Sequence, residues 1–469
     1  MVEQSPMNKF LLYVSVVASL GGFLFGFDSG VISGAEKAIQ TEFGLSAFWH
    51  GLVISGALIG TVIGVFTAGR PSDRYGRKKT LWAMAILFLI SAVGCAFCVT
   101  DLTVGPHMLG WFRFIGGLAI GGVSVVVPLY IVEIAPGKWR GLLVGLNQLN
   151  IVFGILASYV TNYLVARFLP NVDPEVVWRV MLGVECLPIA LFMALLATIP
   201  ESPRWLVRVG RKALAAEVLA RVGEAEVERV VGEIEESLAG LGSLETPRPG
   251  AARGTREDVP LFQRKFLKPI LLAFFIAFFN QVSGINAINY YAPRIFEMIF
   301  GEGSSLAALA GTMGLGLTNL LFTAMAFAII DRVGRRVLII IGAAAMIVMH
   351  ALVAWQLALP QPNAVVAMTG IFGFIAFFAM SSGACLWVYI SEVFPNTVRA
   401  KGQALGCFTH WFLCTVISWV FPMCAERAGS WTFAFFAAMM ACQLVWAVFF
   451  MPETKGGTTE DVEKRLGIV

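Results

Sequence analysis

Twelve stretches of this 469-residue chain are apolar over the length that a bilayer demands. They cover roughly 10–33, 49–69, 79–100, 107–131, 141–165, 180–199, 270–299, 306–330, 337–358, 364–391, 401–424 and 431–451. A helix needs about 20 predominantly apolar residues to cross the hydrocarbon core. Only 14% of the residues are charged against 58% hydrophobic, whereas a soluble domain has about a quarter charged. The pattern predicts an all-α membrane protein with twelve transmembrane helices. The first run is too long for a signal peptide, contains Asp28 and lacks a small-residue cleavage site, so it is expected to remain as the first span.

Charge placement predicts the topology. Of the 34 Lys and Arg, all but Lys37, Arg113, Arg167, Arg179, Arg294 and Arg427 fall in the termini or in the connections after the even-numbered runs. The positive-inside rule then puts both termini in the cytoplasm. The basic residues report orientation, so no nucleic-acid partner is implied. The eight Cys lie in or beside apolar runs, where thiols pack as small hydrophobes. Cys95 and Cys98 form a CxxC, but no second Cys or His pair completes a metal site, and none is expected.

The chain also repeats itself. "GRPSDRYGRKK" (69–79) follows the second run and "DRVGRR" (331–336) the eighth. "VEIAPGKWRG" (132–141) follows the fourth and "SEVFPNTVRAKG" (391–402) the tenth, while "PESPR" (200–204) follows the sixth and "PETKG" (452–456) the twelfth. The copies are offset by 258, 259 and 252 residues, measured from Asp73 to Asp331, Glu133 to Glu392 and Glu201 to Glu453. Three motifs in one order at nearly one spacing mark an internal duplication. We read two six-helix halves, 1–203 and 266–452, a cytoplasmic connector over 204–265 and a tail over 453–469. Within the connector, "RKALAAEVLARV" and "EVERVVGEIEESL" have the pattern of short amphipathic helices, and "GSLETPRPGAARGTRED" that of a loose linker. Duplicated six-helix halves are the layout of alternating-access transporters, which hold substrate near the midplane between repeats.

Three sets of residues carry chemistry. The first recurs in both halves at the cytoplasmic surface: Asp73, Arg74, Arg77, Glu133, Arg140 and Glu201, then Asp331, Arg332, Arg335, Glu392, Arg399 and Glu453. Gly76 and Gly334 permit a tight turn, and the paired acids and bases would latch that side when the halves close there. Ordinary topology-setting charge is the competing reading, but topology needs no carboxylates. The second set is Asp28 and Arg113. An ionisable group at a helix centre costs about 3 kcal/mol on insertion scales. With the first helix ending near Ser33 or Gly34, each lies about six residues, or ~9 Å, inside the outer end of its helix. They are therefore expected to pair. Protonating Asp28 would release Arg113, and a static ion pair is the alternative. The third set is polar: Gln148, then Asn280, Gln281, Asn286 and Asn289 in a seventh helix loosened at Ser283-Gly284 and Pro293, then Asn319, Trp387 and His410-Trp411. Amides bond hydroxyls and rings stack on sugar C–H faces, so the set suits a neutral polyhydroxylated ligand. Single amides in membrane helices also serve as interhelical glue.

Taken together, "GGFLFGFDSGVISGA", "DRYGR", "PESPR", "NQVSGINAINYYAP", "SEVFPNTVRAKG" and "PETKG" resemble the sugar porter family of the major facilitator superfamily, over essentially the whole chain. The resemblance implies the major facilitator fold. It implies that Asp28 is the proton-linked aspartate of the bacterial symporters and Arg113 its partner, where the facilitative glucose transporters have asparagine at the former position. It implies that Gln148, Gln281, Asn286, Asn319 and Trp387 contact sugar, and that Phe25, Tyr291, Gly383 and Trp411 line or gate the site. The chain departs from the family at Asn280, where the first of two glutamines is usual, and at Ile155, where xylose symporters have a glutamine. It departs again at Ala384, which replaces a proline, and at His410, usually an amide or another neutral residue. We count Asn280, Ile155 and His410 in the substrate site. Histidine titrates near neutral pH, which raises a second proton-sensitive group beside the reading of a neutral His410 bonded to sugar or to a neighbouring helix.

The expectation is a secondary active transporter that takes up a monosaccharide, hexose or pentose, by proton symport through alternating access. It would be a monomer in the plasma (cell inner) membrane, with sugar, proton and lipid as partners and no cofactor. A proton-independent facilitator and a polyol transporter of the inositol type are alternatives. A non-transporting sugar sensor is disfavoured by the short stretch 452–469 after the last run. Neither a GxxxxGK[ST] phosphate loop nor a nucleophile–base pair stands out, so an enzyme is not expected.

Overall fold

The computed structural model describes residues 7–242, 260–301, 303–395, 397–456 and 466. Twelve helices are long and apolar enough to span a membrane. They are α1 Lys9–Glu42, α2 Ala47–Thr67, α3 Arg77–Ala96, α4 Val104–Ile134, α5 Arg140–Phe168, α6 Pro174–Leu196, α7 Arg264–Phe300, α8 Ser305–Val333, α9 Arg335–Leu357, α10 Ala364–Val393, α11 Arg399–Arg427 and α12 Gly429–Phe449. The two amphipathic stretches between the halves form helices, Lys212–Arg221 and Val227–Gly242. The linker stretch beyond 242 and the tail past 456, Leu466 apart, lie outside the described residues.

Helix boundaries part from apolar boundaries most clearly in α1. It continues past Ser33 to Glu42, because its polar end has partners: Glu36 meets Arg294, and Glu42 meets Arg179 at 2.9 Å. A helix of 34 residues is about 51 Å long at 1.5 Å per residue, well beyond a ~30 Å hydrocarbon core. Asp28 is thus fourteen residues from the end of α1, and Arg113 nine residues into α4. Both lie further from their helix ends than the apolar runs suggested.

Lipid offers apolar side chains no reason to prefer each other, so helices here associate by close approach of small residues. On α1, Gly26 and Gly30 face α5: a Cβ at Gly26 would sit 1.8 Å from the Ile151 carbonyl oxygen, and one at Gly30 2.1 Å from Ser158 Oγ. Between α2 and α4, a Cβ on Gly117 would lie 1.9 Å from the Ala57 carbonyl oxygen.

The duplication is visible atom by atom. Gly76 and Gly334 have φ of +103° and +102°, a region that suits glycine, and turn the chain beneath Glu201 and Glu453. The Arg77 backbone N–H donates to Glu201 at 2.9 Å and that of Arg335 to Glu453 at 3.0 Å. Their guanidinium groups pair with Glu133 at 2.7 Å and Glu392 at 3.0 Å. The hydroxyls of Ser202 and Thr454 donate to those same carboxylates, each at 2.5 Å. Three spans are interrupted among the described residues, the first being α6, which turns at Val184–Glu185 between helical pieces Pro174–Gly183 and Cys186–Leu196. α7 breaks at Gly284, where φ is +85°, and α10 contains a π-helical turn over Ala379–Gly383. That turn sits just before Ala384, the position at which the chain lacks the family's usual proline.

Replacing Gly26 with valine is expected to destabilise the protein by about 3 kcal/mol through overpacking, read as a lower Tm in detergent. Gly141→Ala, at a position where an added methyl meets open space, should leave Tm unchanged.

Candidate functional site

Three ionisable groups are sealed inside the first half. Arg113 Nη1 donates to Asp28 Oδ1 at 2.7 Å, and each residue is 1% exposed. Glu185 on α6, 3% exposed, faces both of them. Asp28 Oδ2, Glu185 Oε1 and two of the Arg113 nitrogens, Nε and Nη2, have no hydrogen-bond partner among the described residues. Sequence reasoning paired Asp28 with Arg113 but passed over Glu185. The signal was present, since Glu185 is the sole Asp, Glu, Lys or Arg of the run 180–199.

Next to this group, where Phe25, Ser29 and Gly30 of α1 face inward, lies a central cavity of about 180 Å³. Its wall comes from α1, α5, α7, α10 and α11, so both halves contribute. Phe25, Gln148, Ile155, Asn280, Gln281, Asn286, Gly383, Trp387, His410 and Trp411 all line it, together with Ser29, Asn289 and Tyr290. Gln281 is the hub. Its Nε2 donates to Asn280 Oδ1 at 3.0 Å and to the His410 ring at 3.0 Å, and its Oε1 accepts from Asn286 Nδ2 at 2.6 Å. Gln281 Nε2 lies 3.0 Å from His410 Nδ1 and 3.3 Å from Nε2, and since an amide N–H can only donate, the ring accepts through one of these two nitrogens. Trp387 packs on His410 with ring centroids 4.9 Å apart, and Phe25 meets Trp411 at 5.6 Å across the two halves. Asn289 Oδ1 is buried without a partner among the described residues, an acceptor left over.

Two predicted residues sit elsewhere. Asn319 is not in the cavity wall; its Oδ1 accepts from Thr323 Oγ1 at 3.3 Å. Tyr291 is fully buried, donates to the Ser418 carbonyl at 3.0 Å and packs between Phe421 and His50. It belongs to a second charged group that the sequence reading did not anticipate. There Glu36, 1% exposed, takes Arg294 Nε at 3.0 Å and Nη2 at 2.7 Å, with His50 Nε2 2.8 Å away. Gln40 links Arg294 to Glu426, and Lys37 pairs with Glu297. Glu36 and Lys37 are on α1 and Arg294 and Glu297 on α7, so these bonds tie half to half.

The opposite face carries the duplicated turns, and there the ion pairs described stay within each half. Arg77 holds Asp73 at 3.0 Å as well as Glu133, and Arg335 holds Asp331 at 2.9 Å as well as Glu392. Arg140 and Arg399, the first residues of α5 and α11, donate to the carbonyls of Ala135 and Phe394, which cap the ends of α4 and α10. Arg74 lies over the Tyr75 ring, and the Arg332 carbonyl accepts from Lys455. The protein is therefore closed at the face opposite the charged turns.

The family model for "Sugar (and other) transporter" matches residues 14–466. The chain is 36% identical to the arabinose-proton symporter of Bacillus subtilis (strain 168), over 99% of this chain and 96% of that one. It is 35% identical to the D-xylose-proton symporter of Escherichia coli (strain K12), over 97% and 96%. Among solved structures it is similar to the xylose transporter XylE from E. coli in a partially occluded inward-open conformation, with TM-score 0.82 and 33% identity over 96% of this chain and 100% of that one. The proton:xylose symporter XylE bound to 6-bromo-6-deoxy-D-glucose matches at TM-score 0.76 and 33% identity, over 97% and 99%. With twelve spans, duplicated charged turns and matches of this extent, the chain is a transporter and no enzyme: it belongs to the sugar transporter family of the major facilitator superfamily.

Proposed function

We propose that this protein takes up a monosaccharide by proton symport, through alternating access, in the plasma membrane. The observation that carries the reading is the placement of the Asp28–Arg113–Glu185 group beside a central cavity walled by amides and aromatic rings. Two carboxyl groups beside one guanidinium have a net charge of minus one when both are ionised and are neutral when one proton is held. An uncompensated charge away from water is costly by several kcal/mol, so proton binding and helix arrangement are linked. Asp28 and the cavity-lining Ser29 are neighbours on α1, which lets a change in the Arg113 contact move the cavity wall. The cavity is of single-ring size, and its amides, its spare Asn289 acceptor and its indoles suit hydroxyls and C–H faces.

The distribution of Lys and Arg supports cytoplasmic termini, which makes the Glu36–Arg294 cluster an outer gate and the duplicated turns the inner surface. In the reading we favour, the closed gate seen here alternates with a state in which the inner clusters of the two halves meet. Named relatives that couple sugar to protons support symport over facilitation.

The test is reconstitution in liposomes, a counterflow screen of labelled monosaccharides and polyols, then an inward proton gradient. The wild type should accumulate its substrate above equilibrium. Asp28→Asn should keep counterflow and lose accumulation, and Glu185→Gln should reduce accumulation while keeping counterflow. Accumulation that persists in Asp28→Asn would remove the proton role, and no counterflow with any sugar or polyol would end the sugar reading. A second expectation concerns the gate. Glu36→Gln leaves Arg294 with only the more distant and more exposed Glu426 carboxylate, 4.0 Å away, and should shift the population towards the outward-open state by roughly tenfold. Labelling of a cysteine placed at cavity position Ile155 by an impermeant maleimide, added outside, should rise accordingly, and unchanged labelling would refute the gate.

A further inference from the structure

α7 breaks between its two pairs of cavity amides: Asn280 and Gln281 precede the break, and Asn286 and Asn289 follow it. A helix interrupted at membrane depth frees backbone carbonyls, and each needs a donor from its surroundings. The carbonyl of Ser283, the last residue before Gly284, finds one on another helix. His350 of α9 lies with Nε2 2.9 Å from that oxygen, and both residues are 0% exposed. A carbonyl only accepts, so Nε2 carries the hydrogen and Nδ1 is bare. Nδ1 has no partner among the described residues, and the ring is boxed by Phe374, Phe436 and Phe433 at 4.3, 5.6 and 6.0 Å. The imidazole is thus a single donor with one orientation.

The rest of the break is braced from other directions. Ser283 Oγ donates to the Asn280 carbonyl at 2.6 Å, and Asn280 Nδ2 donates to the Ser382 carbonyl in the π turn of α10 at 3.0 Å. At Gly284 a Cβ would lie 2.6 Å from Phe436, the ring that also flanks His350. Asn280 anchors the segment before the break, and the pivot itself is held from α9 alone among the described hydrogen bonds to Ser283 O.

We propose that His350 is the positioning residue of the α7 break: its Nε2–H fixes the Ser283 carbonyl and with it the angle at which the two amide pairs face a common sugar. This rests on the reading of the cavity as a sugar site, and its test has one arm that needs no sugar. In counterflow, His350→Met, which fills the space without a donor, should raise the half-saturation concentration by about fivefold, the factor of one ordinary hydrogen bond, with a smaller change in maximal rate. His350→Gln, which keeps an N–H, should restore most of the loss. Half-saturation within twofold of wild type in His350→Met would overturn the proposal, as would an equal loss in both variants. The sugar-free arm is a spin-label distance across the break, between cysteines placed at Phe274 and Met298, both partly exposed, with Cys424 and Cys442 changed to serine. The distance should shift or broaden in His350→Met and return in His350→Gln; an unchanged distribution overturns the proposal. A shifted distance in a protein whose wild type transports no sugar would sustain His350 and dismiss the sugar reading. Should His350→Met not fold, ¹⁵N spectra of histidine-labelled wild type decide. One signal pair, absent from His350→Gln, must show Nε2 protonated and Nδ1 bare, and the opposite tautomer overturns the assignment.

Discussion

Two carboxyl groups and one guanidinium sealed among α1, α4 and α6 set the terms for everything around them. Their charge does not balance without a proton, and no other described basic group is paired with them. A membrane protein tolerates such a site only where function retains it, because removing the charges would be the easier route to stability. The site also explains the packing next to it. α1 must carry Asp28 inward towards α4 while pressing against α5 on its other flank. The glycines at 26 and 30 make that approach possible, with carbonyl and hydroxyl oxygens standing where side chains would otherwise be.

The same two helices, α1 and α7, carry one side each of the cavity and one side each of the Glu36–Arg294 clamp. On the proposed reading, closure and ligand contact therefore act on the same helices. A clamp of this kind has to be reversible. Glu36 is almost fully buried, but the Arg294 side chain keeps 14% of its surface exposed, and Lys37 and Glu426 around it are more exposed still. Water access at one edge lowers both the attraction and the desolvation penalty, so the clamp can hold the closed state without trapping it.

Lipid made the fold legible from sequence. Twelve apolar runs and six charged turns leave few arrangements, and the φ values of Gly76 and Gly334 match the turn their motifs suggested. The cavity was legible because amides inside an apolar helix are conspicuous. What escaped were residues whose meaning depends on a partner far along the chain. The end of α1 looks like a loop because Glu36, Lys37, Gln40 and Glu42 are polar, yet each is matched on α6, α7 or α11. Tyr291 has the composition of a cavity residue and packs instead behind the gate. The π turn just before Ala384 escaped as well, because it has no sequence signature of its own.

The duplication shows how one element was put to two uses. Ser29-Gly30 in α1 and Ser283-Gly284 in α7 are 254 residues apart, within the span of the motif offsets. In the first half the glycine stays helical, because α5 packs against it with Ser158 Oγ 2.1 Å from where a Cβ would be. The helix runs straight through and holds Asp28, the preceding residue, against Arg113. In the second half Val282 takes the place of that aspartate, the glycine turns to a φ of +85°, and the helix parts. An unbroken helix suits a buried charge, which must keep its distance to a partner. A broken one suits a ligand, since the segment after the break can move with the gate while the segment before it stays anchored through Asn280. The division of labour between the halves thus begins at one pair of equivalent residues.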